Sequence, residues 1–225
     1  MLDKNELGFL SENLSSWGNL TDEQKREVES CAFVASYEKG KKLYGEKKEC
    51  LGLVLIKSGQ LRSFITSKDG KEIGLYRLLS LDVCILTASC MIRNINFDIN
   101  VEVEKEAVVF VIPTVCFNKL SEGNAYVKNF TLELVSARFS EVMWVFDQYV
   151  FGTAAGRLAS FLLNQANLEG TDMLKITHEY IANDLGTARE VITRLLKHFS
   201  SEGLVELGRG SVTVLNKAKL AEICS

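Results

Sequence analysis

The strongest constraint on this chain lies near its end, between Thr177 and Leu215, where two helical periodicities meet at a glycine. Ile181, Ala182 and Leu185 give the first segment one apolar face. Ile192, Leu195, Leu196 and Phe199 fall at i, i+3, i+4 and i+7, the spacing of a helix that buries one side. Gly186 separates the two segments, where a tight turn calls for a residue that tolerates positive φ. Thr187 and Glu190 follow the S/T-x-x-E pattern, which predicts a capping box at the start of the second helix. Neither short helix can bury its face alone, so the two must pack together. The pattern is that of a helix-turn-helix, in which the second helix enters a DNA major groove.

The opposite face of the second helix is polar and mainly basic. It carries Arg189, Glu190, Thr193, Arg194 and Lys197. Arginine can pair bidentately with guanine, and glutamate can accept from cytosine N4, so Arg189, Glu190 and Arg194 are candidate base contacts. Thr193 is a further base or backbone candidate; Thr177, Thr187, Lys197 and Arg209 are candidate phosphate contacts. Gly203 is placed to end the helix. Leu204 to Leu207 and Ser211 to Leu215 then alternate around Gly208-Arg209-Gly210, which predicts a β-hairpin and makes the unit a winged helix. The competing readings are a helix pair with a solvated charged face, or a winged helix that contacts protein. The ordered run of helix, turn, helix and wing favours double-stranded DNA.

Charge supports that partner locally. Residues 187–219 hold Arg189, Arg194, Lys197, Arg209, Lys217 and Lys219 against Glu190, Glu202 and Glu206, although the whole chain is at −3. Binding carried by such a patch weakens as salt rises. No Ser/His/Asp set, phosphate-cradling glycine loop or metal cluster is present to suggest an enzyme. No run of 18 uncharged apolar residues predicts a membrane span, and the mixed, acidic N-terminus is unlike a signal peptide, so a cytoplasmic location is expected. The six cysteines include no C-x-x-C pair and are expected to stay reduced there.

At 225 residues, two domains are expected. Residues 2–30 read as a helical lead-in with a cap at Thr21. From about 31 to 113 the pattern changes to short strands: Phe33 to Ala35, Leu51 to Ile56, Gln60 to Ile65, Glu72 to Leu78 and Val101 to Ile112. Gly40, Gly59 and Gly70 are read as turns. Pro113 is expected at the first position of a short helix. A long helix should run from about Ala125 to Phe151. On it Leu132, Val135, Phe139, Val142, Phe146 and Tyr149 step by 3 and 4, a heptad seam suited to a symmetry-related helix in a homodimer. Val127, Phe130, Leu134 and Ala137 form a second strip for the chain's own strands. Phe151-Gly152-Thr153 is the expected hinge.

Three sequence stretches carry a resemblance to the Crp/Fnr family of bacterial transcription regulators. These are Thr177-x-x-x-Ile-Ala-x-x-Leu-Gly186 with Arg189-Glu190-x-x-x-Arg194, then Glu202-Gly203-Leu204 with the Gly-Arg-Gly wing, and Gly156-Arg157-Leu158-Ala159 upstream. Leu53 to Leu61 resembles the cyclic-nucleotide-binding β-roll of that family. The resemblance implies an α+β fold in three parts. Residues 1–120 would form a double-stranded, jelly-roll-like β-roll sensor, 121–152 a long dimerisation helix and hinge, and 153–225 the winged helix-turn-helix. It also implies RNA polymerase as a partner.

The resemblance does not carry the family's best-known ligands with it. Relatives that bind cyclic AMP hold ribose and phosphate with Gly-Glu and a following Arg-Ser/Thr. In the matching stretch, Leu81 to Asn100, the Gly-Glu is missing and Phe97 or Asp98 stands near the arginine's place. A carboxylate there repels a phosphate. Val142 and Met143 stand where the base would meet polar groups. Cyclic AMP is therefore not the expected effector. An iron–sulfur cluster of the Fnr kind is not supported either, since the first 30 residues hold no cysteine. An apolar ligand, a haem or no ligand suits a pocket wall of Cys84, Thr87, Ser89, Cys90, Phe139, Val142, Met143 and Phe146. Cys84 and Cys90 either sense redox or pack as small hydrophobes. His178 and His198 are assigned surface or phosphate-contact roles.

Overall fold

The structure is a computed structural model describing residues 2–44, 51–86 and 99–224. The chain divides into two compact units: Met1–Ile65 with Leu75–Val142, and Thr66–Gly74 with Met143–Ser225.

The first unit opens on two capped helices, α1 (Lys4–Asn13) and α2 (Asp22–Cys31). In α2 the Gln24 amide donates to Thr21 Oγ1 at 3.2 Å and the Thr21 amide to Gln24 Oε1 at 3.0 Å, the expected cap. Six strands follow: β1 (Phe33–Tyr37), β2 (Lys42–Tyr44), β3 (Gly52–Thr66), β4 (Glu72–Leu78), β5 (Val83–Cys84) and β6 (Ile99–Pro113). They form one sheet in the order β1-β6-β3-β4, with β2 on β6 and β5 on β3. The two stretches read as separate strands around Gly59 are one 15-residue strand. Gly59 is not its turn but part of an irregularity where the register with β6 slips. Its φ is +96°, and a Cβ there would press on the Glu106 carbonyl, so only glycine passes.

Strand alternation explains the two cores of this unit. On β6, Val101, Val103, Ala107, Val109 and Val111 point into one cluster with Val54, Ile56 and Leu61 of β3. The intervening Phe110 and Ile112, with Leu53 and Leu55, point into another, which the helices close. Residues 53–56 and 107–112, which serve both clusters, read as continuous apolar runs, whereas Glu102 and Glu104 alternate with Val101 and Val103. Pro113 is the residue before α3 (Thr114–Gly123) rather than its first residue. α4 (Ala125–Val150) then runs for 26 residues. Val127 is buried, and Phe130, Leu134 and Val135 pack on the helix-side core.

The cysteines depart from expectation. Cys31, ending α2, and Cys116, in the first turn of α3, form a disulfide across a separation of 85 residues. The compartment argument cannot see that these two helix ends are neighbours. Cys84 is buried and lies outside that disulfide.

The second unit contains α5 (Ala154–Glu169), β7 (Met173–Leu174), α6 (His178–Asp184), α7 (Arg189–Ser201), β8 (Val205–Gly208), β9 (Ser211–Val214) and α8 (Lys217–Ile223). β7, β9 and β8 form a three-stranded sheet. A single core gathers Leu158 and Leu162 of α5, Ile181 of α6, Ile192, Leu196 and Phe199 of α7, and Val212 of the hairpin. The segment after α4 is tied down within this unit. Thr153 caps α5 by accepting from the Gly156 amide at 2.9 Å. The Arg157 guanidinium donates to the Gly152 and Gln148 carbonyls at 3.0 and 3.2 Å and lies 4.8 Å from the Tyr149 ring centre. An arginine on the last carbonyls of a helix satisfies acceptors that the helix itself leaves open.

Candidate nucleic-acid interface

The recognition face is built by the apolar stripe behind it. Ile192 and Leu196 are fully buried, which turns the other side of α7 outward. Arg189, Glu190, Thr193, Arg194 and Lys197 together line an open cavity of about 510 Å³ on that side. All five sequence candidates thus meet on one surface. Arg189, Glu190, Arg194 and Lys197 are exposed. Arg189 approaches Glu179 of α6 at 4.0 Å, a loose contact between exposed groups.

The start of α7 differs from its sequence reading. The residue preceding the helix is Ala188, without a side-chain cap, and the Thr187–Glu190 box does not form. The turn runs one residue further because Gly186, at φ +53°, lets the Thr187 amide donate back to the Ala182 carbonyl at 3.0 Å. Glu190 is released from capping and stays in the open cavity. Thr177 does cap α6, accepting from the Tyr180 amide at 3.1 Å.

Thr193 is engaged in a way the sequence does not reveal. His178 Nδ1 lies 2.9 Å from Thr193 Oγ1, joining α6 to α7 beneath the recognition face. The imidazole pKa is lowered by burial first, then by Arg189 and Lys197. The wing agrees with its reading: Val205 pairs with Val214 and Gly208 with Ser211, and Arg209 and Gly210 form the exposed tip. Gly210 takes φ +73°.

The dimer and effector candidates on α4 differ in exposure. Leu132, Phe139 and Phe146 are 57%, 65% and 57% exposed. Met143 and Val150 continue that exposed line, whereas Val142 and Tyr149 are half-buried. Val135 packs into the unit's own core.

Of the pocket candidates, Phe139, Met143 and Phe146 are exposed on α4, Val142 is half-buried there, and Cys84 is buried on β5. Thr87, Ser89 and Cys90 lie outside the described residues. Arg138 of α4 also meets the strands. Its guanidinium lies 4.9 Å from the Tyr76 ring centre and its Nη1 donates to both Glu141 carboxylate oxygens at 2.8 Å. Burial, with Cys84 nearby, pushes the Tyr76 phenol well up. The contact adds a guanidinium–phenol pair beside the apolar residues Phe130, Leu134 and Val135 of the same helix. The signal for Arg138 was present: it stands three and four residues after Val135 and Leu134, on the same strip. Among the described residues no group of three metal-ligating side chains is found, and no helix is long and apolar enough to cross a membrane.

Fold and face together define a winged-helix DNA-binding transcription regulator. Residues 156–223 match the Crp-like helix-turn-helix domain. A protein from Eubacterium rectale assigned to the Crp/Fnr transcriptional regulators is 42% identical, over 95% of this chain and 99% of that one, with a TM-score of 0.91. FixK2 from Bradyrhizobium japonicum shares the fold at 19% identity, over 86% of this chain and 98% of that one, with a TM-score of 0.68. The cyclic AMP receptor protein of Thermus thermophilus is 34% identical over 90 residues, 40% of this chain and 42% of the receptor. The chain thus spans less than half the length of that receptor in the match. It belongs to the Crp/Fnr family and is a transcription regulator of that type.

Proposed function

We propose that the chain acts as a homodimer on a palindromic operator, placing one α7 in each of two major grooves a helical turn apart. The observation that carries the reading is the cavity at Arg189, Glu190, Thr193, Arg194 and Lys197, formed on the side of α7 opposite its buried stripe. Arg194, Glu190 and Arg189 read base edges; Lys197, Thr177, Thr187 and Arg209 hold phosphates. The exposed apolar line Leu132, Phe139, Met143, Phe146 and Val150 supports pairing of α4 with its copy. RNA polymerase is the partner on which a bound regulator of this type would act.

The effector is one other than cyclic AMP, or none. In support, the Gly-Glu of nucleotide-binding relatives is missing and α4 offers the roll a guanidinium–phenol pair. The test is selection of bound sequences from a randomised duplex pool, followed by binding titrations at several salt concentrations. A palindromic consensus whose affinity falls with salt is expected. Failure to enrich any sequence would remove the reading.

A further inference from the structure

The hydroxyl of Thr193 on the cavity face of α7 has a partner on the neighbouring helix. On α7 it lies among residues that line the cavity, and its Oγ1 is 2.9 Å from Nδ1 of His178 on α6. A hydroxyl has one proton to give and lone pairs to offer, so what it does on one side fixes what it can do on the other. Histidine is the side chain whose Nδ1 changes from acceptor to donor at ordinary pH.

We propose that His178 is a positioning residue that sets the hydrogen-bond polarity with which Thr193 meets a base edge. This rests on the reading of α7 as the helix in the major groove. With the ring neutral and its proton on Nε2, Thr193 donates its hydroxyl proton to Nδ1 and turns only lone pairs to the groove. It then suits a base-edge donor, the amine of cytosine N4 or adenine N6. When the ring takes a proton from solvent at Nδ1, that N–H donates to Oγ1. The Thr193 hydroxyl proton swings toward the groove and suits an acceptor, guanine O6 or N7 or thymine O4. One proton is gained and one hydrogen bond reverses; no other group changes state.

The charged groups around the ring are Arg189 and Lys197 on α7, which disfavour protonation together with burial. Glu179, beside it on α6, is drawn toward Arg189 at 4.0 Å. In the free protein the neutral form is thereby held over the ordinary range. DNA phosphates near Arg189 and Lys197 oppose that bias, so the reversal belongs to the bound state.

The experiment is sequence selection by the full chain from a randomised duplex pool at about pH 8 and about pH 6, bracketing the ordinary histidine range. It is repeated with His178→Gln and with Thr193→Val, each checked for folding by a thermal melt. The wild-type chain should change its preferred base at one position per half-site between the two pH values, by roughly threefold to tenfold, the span of one net hydrogen bond. Both variants should show the same base preference at that position at either pH. A wild-type consensus identical at the two pH values overturns the inference while leaving the DNA-binding reading intact. Enrichment of no sequence at either pH overturns both.

Discussion

Replacing Phe139 with alanine should weaken self-association about a hundredfold while leaving each protomer folded. Phe139 is 65% exposed on the outward line of α4. A phenylalanine presents on the order of 200 Å² of surface, so roughly 130 Å² of it faces water in the isolated chain. At about 25 cal/mol per Å², covering that area contributes about 3 kcal/mol. In a two-fold arrangement the residue counts twice, for about 6 kcal/mol. Such areas are upper bounds, alanine keeps its own Cβ, and neighbouring side chains close the gap, so about half that amount is the realistic loss. Roughly 3 kcal/mol corresponds to about two powers of ten in the dissociation constant. Sedimentation velocity over a dilution series measures it directly. A dissociation constant equal to that of the wild type would refute the assignment of this face. A melting temperature lowered equally at every concentration would place Phe139 in the protomer core instead.

Arg194→Ala should reduce affinity for a selected operator by about 1–3 kcal/mol, the worth of one bidentate base contact, with little change in thermal stability; unchanged affinity in a fluorescence-anisotropy titration would remove Arg194 from the base-reading set. Reduction of Cys31–Cys116, which closes a separation of 85 residues, should destabilise the first unit by about 4–5 kcal/mol in the chain-entropy account. Urea midpoints with and without dithiothreitol check it, and identical midpoints would show that the bond contributes nothing in solution. His178 should make the second unit acid-sensitive. Its folded pKa lies below the ordinary value of about 6.5, so the unfolded chain binds the proton more readily. The stability it contributes is present above that value and is lost as pH falls through it toward the lower folded pKa. His178→Gln should flatten that part of a melting-temperature profile, and a profile of unchanged slope would count against it.

Much of the interface was legible because helix periodicity is local. Ile192, Leu195, Leu196 and Phe199 define the buried stripe, and the recognition face is then its geometric complement. The wing was legible for a similar reason, since Gly208-Arg209-Gly210 between alternating runs has few conformations to choose from. The start of α7 was misread because Thr187 fits the capping pattern, but Gly186 allows the turn to extend by one residue. On α4, Val142 and Tyr149 of the expected seam are half-buried, while Met143 and Val150 beside them are exposed. His178–Thr193 and Arg138–Tyr76 were invisible in spacing alone. Each joins residues on different elements, and no sequence distance encodes that approach.

The sequence by itself determined what repeats or punctuates: the presence of a strand-rich region, the 26-residue helix, the helix pair and its wing. These follow from backbone preferences and from burying a face at period 2 or 3.6, which neighbours in sequence decide among themselves. Only the tertiary structure decided which groups are partners. It joined Cys31 to Cys116, laid Arg138 over Tyr76, turned Met143 rather than Val142 outward, and set His178 behind Thr193. Such pairings depend on how whole elements pack, and packing is fixed by shape and burial summed over the unit rather than by any local stretch.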